Sequence, residues 1–191
     1  MLLLIISQNL LKHDVSIPKD TVLRINLAWC DSIEELNTIL AKHQENNIFI
    51  DLPTKRIKPP NNRYTINDLL PVLKSNHHIK YLAISNVESP DDILSYMEQI
   101  PDTINLVPKI ESPKAVKNIE KIVNSLKNEK IVMLDHDDLF TSMINNNESA
   151  DNFKNYIQDL VMYCSSNKIT LLRTVGVIFS DNETRISQYV K

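Results

Sequence analysis

The stretch Leu106-Val-Pro-Lys-Ile-Glu-Ser-Pro-Lys-Ala-Val-Lys-Asn-Ile-Glu120, followed by Ile131-Val-Met-Leu-Asp-His-Asp-Asp-Leu139, decides the fold class. Its first apolar run ends in Lys109 and Glu111 and leads into a helix pattern carrying Ala115, Ile119 and Ile122. A second apolar run, residues 131–134, ends in Asp135, Asp137 and Asp138. Strand, helix and strand in succession make a parallel β/α unit, and α/β barrels keep their chemistry at such strand ends. Glu111 and Asp138 are the expected metal ligands, because carboxylates at adjacent strand ends can share one hard cation and leave positions for substrate oxygens. Capping of the following helices is the alternative for both. Lys109 lies two residues before Glu111, so both side chains share one face of the strand. An unpaired buried ammonium is costly. Lys109 therefore either neutralises a phosphate or developing enolate charge, or forms an internal ion pair with Glu111 or Asp51.

Read outward from that unit, the rest of the chain repeats its rhythm. Strand-like runs cover residues 2–7, 22–28, 48–52, 79–85, 104–110, 130–134 and 169–179. Between them, helices are signalled by Asp31 or Ser32 ahead of Ile33, Leu36 and Leu40, and by Thr65 ahead of Ile66, Leu69, Leu70 and Leu73. Ser89-Pro90 and Ser112-Pro113 place proline at a first helical position, and a further helix is expected over residues 150–164. Near-continuous apolar runs suit strands buried on both faces. The expected fold is α/β, one domain over residues 1–191: a compact, incomplete (β/α)8 TIM-type barrel of about seven parallel strands, since 191 residues are few beside the usual ~250. Seven strands would leave an open edge, expected to be covered by the carboxy-terminal tail or by a second subunit, in a homo-oligomer or with another partner.

Composition narrows the function classes. A net charge of -3 with interspersed lysines and acids offers no basic surface for nucleic acid. Cys30 and Cys164 form no CxxC pair, so a zinc site or disulfide framework is not expected. Residues 1–7 are apolar but too short to span a bilayer and carry no basic flank, so they read as a first strand. These features lead to the expectation of a cytoplasmic protein with reduced thiols and no membrane partner. The single glycine, Gly176, excludes glycine-rich cradles of the dinucleotide and P-loop kinds. Asparagines are left to make the turns, at Asn46-Asn47, Asn61-Asn62 and Asn145-Asn146-Asn147.

Other strand ends are polar as well. Arg24 and Asn26 repeat the two-residue spacing on the second strand, and Asp51 ends the third. Arg24 suits a carboxylate or phosphate, or an internal ion pair, while Asn26 and Asp51 could hold a cation. Ser85 and Thr174 complete the ring, each reading as a turn or cap residue when taken alone. His136 is either a general base or a solvated loop histidine. His77-His78 falls in the turn before a strand and carries no role; Trp29 and Cys30 read as packing or a lid.

Taken together, these segments resemble the barrel domain of pyruvate kinase, within the superfamily of phosphoenolpyruvate- and pyruvate-binding barrels. Lys109-Ile-Glu111 with the Ala115-Val-Lys-Asn-Ile119 helix is similar to that family's substrate and metal strand. Asp137-Asp138-Leu139 stands where the family has Gly-Asp-Leu. Arg24-Ile-Asn26 is similar to its Arg-Leu-Asn strand, Ile50-Asp-Leu-Pro-Thr-Lys55 to its Leu-Asp-Thr-Lys segment, and Leu82-Ala-Ile-Ser-Asn-Val87 to Ile-Ala-Leu-Ser-Phe-Val. Arg173-Thr174 is similar to the Ala-Thr that ends another strand. The resemblance implies that Lys109 is an electrophilic lysine, that Glu111 and Asp138 bind Mg²⁺ or Mn²⁺, and that Arg24 contacts phosphate. It further implies substrate binding by Ser85, a K⁺ site at Asn26 and Asp51, and Thr174 near the proton-donating position. A phosphoenolpyruvate- or pyruvate-like acid, a small 2-oxo acid or enol phosphate, is the implied ligand.

The departures redirect the expected activity. The family's lid domain is replaced by a short connection over residues 57–63, and Ala28, Asp137 and Phe140 stand where the family has serine, glycine and glycine. Bulk at the former glycines argues against ordinary phosphoryl transfer to ADP. Residues 110–116 with 138–143 also resemble metal-dependent aldolases and citrate-lyase-like enzymes, which are single barrels without a lid. A C–C lyase is therefore one alternative, and a non-catalytic ligand-binding or scaffold relative is another.

Overall fold

The computed structural model describes residues 5–12, 21–55, 60 and 62–173, with no account of the side chains of Leu10 and Lys12. It is an α/β protein; the described residues form seven strands and seven α-helices, and every strand pairing among them is parallel. The chain divides into two compact units, residues 1–85 with 95–106, and residues 86–94 with 107–191.

In the first unit β1 (Ile5–Ser7), β2 (Val22–Asn26), β3 (Asn47–Leu52) and β4 (Ile79–Ile84) pair in chain order. Leu23, Ile25, Ile48, Phe49 and Ile50 are fully buried, so the strands are apolar on both faces, as their sequences imply. Between β2 and β3 lies α1 (Ile33–Lys42), entered where Ser32 Oγ accepts from the Glu35 backbone N–H. Between β3 and β4 lies α2 (Ile66–Ser75), opened by a capping box in which Thr65 and Asp68 satisfy each other's backbone N–H. The second strand is shorter than its apolar run because Asn26 Oδ1 accepts from the Ala28 N–H at 3.0 Å and starts a 3₁₀ turn over Leu27–Trp29. Trp29 is half exposed while Cys30 is buried, so the tryptophan is not a packing residue among the described ones.

In the second unit β5 (Asn105–Ile110), β6 (Ile131–Leu134) and β7 (Thr170–Arg173) also pair in chain order. The unit boundary falls inside α3 (Asp91–Gln99) and inside β5. After β5 come α4 (Pro113–Lys117) and α5 (Ile119–Ser125), two short helices with a break at Asn118 where one had been expected. After β6 comes α6 (His136–Asn145), where a polar loop had been expected, and then α7 (Phe153–Ser166). Phe140 of α6 meets Phe153 of α7 edge to face at 5.2 Å. Asn147 takes a left-handed backbone, φ 58°, doing the work of a glycine in a chain with a single one. The expected extensions of the outer strands, residues 2–4 and 174–179, lie outside the described residues, as does Thr174. No described helix is long and apolar enough to cross a membrane.

Candidate metal and anion site

Register places the central carboxylates. Lys109 pairs with Met133 and Ile110 with Leu134, so Glu111 and Asp135 stand level, one residue past the ends of β5 and β6. Adjacent parallel strands are ~4.8 Å apart. Counting back by twos, Glu111 shares a strand face with Lys109, and Asp135 with Met133. Asp138 then enters from the first turn of α6. Carboxylate oxygens of Glu111, Asp135 and Asp138 all lie within 4.8 Å of one another. These three residues could hold a metal ion.

Asp138 was expected at a strand end, but it belongs to a helix. The residue at the strand end is Asp135, whose Oδ1 accepts from the Asp138 backbone N–H at 3.3 Å and caps α6. On the other side, Ser112 rather than Glu111 caps α4, through its bond from the Ala115 N–H at 3.1 Å. Asp135 and Ser112, not Asp138 and Glu111, are therefore the N-cap residues of these two helices. Asp135 as a third candidate ligand was missed. The spacing Asp135-x-x-Asp138 ahead of Leu139 and Met143 was the usable signal, since it is both a helix entry and a pair of convergent acids.

Lys109 is 5% exposed, which is possible only because anions surround it. Its Nζ lies 2.6 Å from Glu111 Oε1 and 3.7 Å from Asp135 Oδ2. Glu111 is equally buried. Its Oε2 accepts the Asn86 backbone N–H at 2.6 Å, and Oε1 meets the Lys109 ammonium as an ion pair. Burial pushes the Glu111 carboxyl above the usual range, with the Lys109 ammonium and the Asn86 N–H pulling in the opposite direction. Asn86 presents that N–H from a left-handed backbone, φ 55°. The loop beyond it is tied down by Glu88, which accepts from Ser112 Oγ at 2.8 Å and Lys114 Nζ at 3.0 Å, while its carbonyl accepts from Asn118 Nδ2. The sequence gives no sign of the Asn86 contribution, since a backbone donor has no side-chain signature, and none of Glu88, whose partners Ser112 and Lys114 lie more than twenty residues away.

His136 is neither a solvated histidine nor placed in a loop. It is buried at the start of α6, and its Nε2 lies 3.1 Å from an Arg173 guanidinium nitrogen. Burial first, then the Arg173 charge, hold the imidazole below its ordinary pKa against the pull of Asp135 and Asp137.

The remaining candidate residues lie in the first unit. Arg24 makes an ion pair with Asp51, its Nε donating to Oδ2 at 3.1 Å and a terminal nitrogen approaching the same oxygen. Asn26 stands in register with Asp51, with its Oδ1 committed to Ala28. Ser85 is buried; its N–H donates to Leu52 O at 3.3 Å and its carbonyl accepts from Thr54 Oγ1 at 2.5 Å. Arg24, Asn26, Asp51 and Ser85 thus belong to one unit, and Lys109, Glu111, Asp135 and Asp138 to the other.

No family model matches the sequence, and no curated protein does. Among solved structures, RipC from Yersinia pestis is similar, with a TM-score of 0.59 at 15% identity, over 84% of this chain and 72% of that one. At that identity the likeness shows the fold alone.

Proposed function

We propose that this chain is an enolate-forming enzyme related to the pyruvate kinase barrel. In this reading it is an incomplete TIM-type barrel that binds phosphoenolpyruvate or pyruvate beside Mg²⁺ or Mn²⁺ and does not ordinarily phosphorylate ADP. The observation that carries the proposal is the convergence of Glu111, Asp135 and Asp138 within 4.8 Å, with the buried ammonium of Lys109 against two of them. An all-oxygen, all-carboxylate set fits a hard divalent cation. Glu111 Oε1, paired with the Lys109 ammonium, retains a further lone pair for one. When bound, the metal would supply Lewis-acid polarisation of a substrate oxygen.

The protein's own groups do the rest. Lys109, beside these carboxylates, would stabilise the negative charge that develops on the carbonyl oxygen of pyruvate as its enolate forms. Asn86 N–H holds the Glu111 carboxylate in place. On this reading Arg24 and Ser85 bind substrate, Thr174 serves near the proton position, and Asn26 with Asp51 supplies a K⁺ site. Lyase chemistry on a 2-oxo acid would use the same Lys109, Glu111, Asp135 and Asp138 and would likewise be indifferent to nucleotide.

The test is exchange of the methyl protons of pyruvate in deuterated buffer, followed by proton NMR. The wild type with Mg²⁺ should exceed the buffer rate, with no need for ADP, and a chelator should abolish the excess. Lys109→Ala should lose about 100-fold or more. No exchange above buffer would overturn the catalytic reading and leave a ligand-binding relative.

A further inference from the structure

We propose that His78 is an acid-sensitive latch at the start of β4, which keeps the entry of the β3–β4 ladder closed while its imidazole is neutral and lets that entry open once the ring takes up a proton. The pairing there is thin. Ile48 pairs with Ile79 but Phe49 with Tyr81, so Lys80 is an extra residue that separates the first pair from the rest of the ladder. Ahead of that irregularity the Ile48 N–H donates to the His78 carbonyl at 2.9 Å, and the Ile79 N–H closes the turn from α2 on the Asn76 carbonyl at 3.1 Å. His78 therefore stands where the turn out of α2 meets the first rung of the ladder.

The ring is poorly placed for a charge. Its Nε2 is buried and has no hydrogen-bond partner among the described residues. A neutral imidazole can keep that nitrogen as an unprotonated lone pair, whereas an imidazolium carries a donor on both nitrogens. A buried charged donor without an acceptor is costly. Burial first, then the charges of Lys80 and His77, hold the imidazole below its ordinary pKa. On the elements joined to this turn, Lys74 of α2 and Glu45 ahead of β3 are exposed and His43 is half-buried. None of them supplies the ring with a counter-charge. Swinging the ring into water removes the penalty, so the open form binds the proton more tightly than the closed one. Opening is therefore favoured as pH falls below about 6.5, the value of a solvated histidine, until the closed form is protonated as well.

The test is amide hydrogen exchange, followed by NMR between pH 7.5 and 5.5, on the wild type, His78→Gln and His78→Phe, with each rate referred to the intrinsic rate at that pH. The control is the Thr170 N–H, which donates to the Lys130 carbonyl at 2.9 Å at the start of β7, where no histidine lies in the turn ahead of the strand. In the wild type, protection of the Ile48 N–H should fall about fivefold or more relative to Thr170 over that range. In both variants the two amides should keep step. Wild-type amides that keep step, or a loss at Ile48 that persists in the variants, would overturn the latch. Should neither variant fold, the wild type decides through the NMR signals of the His78 ring: titration below pH 6.5 with Ile48 protection falling alongside supports the proposal, and a midpoint at or above 6.5 overturns it.

Discussion

Asp135 has two structural duties that can be separated by substitution. One oxygen caps α6 at Asp138 N–H and the other faces Lys109. Asp135→Ser keeps a capping hydroxyl and removes the carboxylate, so thermal stability should stay within roughly 0.5 kcal/mol while Mn²⁺ binding is lost. Asp135→Ala should lose both, at a stability cost of about 1 kcal/mol. Thermal unfolding with a parallel Mn²⁺ titration checks the pair; a serine variant that still binds Mn²⁺ as the wild type does would remove Asp135 from the site. His136 gives a pH signature. Its imidazole has a depressed pKa in the folded protein, so the unfolded chain takes up the proton first as pH falls below about 6.5. The contribution is therefore present above that pH and lost on acidification through the folded-state pKa. Between pH 7 and 5 the melting temperature of the wild type should fall more steeply than that of His136→Gln; parallel slopes would contradict this. Lys109, Glu111 and Asp138 were legible in the sequence because charged residues at the ends of apolar runs are conspicuous. Asn86 was not, because its contribution is a backbone N–H.

Among the elements, α6 shows how a helix can be hidden in a polar-looking segment. Leu139 and Met143 are its buried face, four residues apart, but the three aspartates at 135, 137 and 138 look like a loop until they are seen as a cap and an acidic first turn. The strands were easier to read, because parallel pairing buries both faces and leaves long apolar runs. Their ends were less so: whether Leu27 and Ala28 continue β2 or turn depends on the Asn26 side chain, which apolarity does not report. Helix α2 carries an exposed Pro71 in its interior, where proline removes one backbone bond and crowds the preceding turn. Pro71→Ala should raise stability by roughly 2 kcal/mol, from a helix penalty of about 3 less an unfolded-state gain of about 1. Denaturant unfolding checks it, and a loss of stability would show that this turn is shaped around the proline. In β3, Phe49 is fully buried beside Tyr81, at 5.9 Å between ring centres. Phe49→Ala should cost about 3–5 kcal/mol in the same assay.

At the scale of the whole molecule, the seven parallel strands of the described residues, interleaved with helices, were legible from the alternation of apolar and amphipathic runs. Closure of a barrel was not, because it depends on contacts that no local pattern encodes. Composition was informative mainly by exclusion: with Gly176 alone, the chain has no glycine-rich loop with which to wrap a nucleotide phosphate. The candidate metal ligands and their lysine are instead concentrated in one unit, on groups that two adjacent strands and the start of one helix bring together. The most direct test of that claim is calorimetric titration of oxalate into the wild type and Glu111→Ala, with and without Mn²⁺. The account predicts binding by the wild type that requires Mn²⁺ and is absent in Glu111→Ala. Oxalate binding that persists in that variant, or that is indifferent to Mn²⁺, would contradict it.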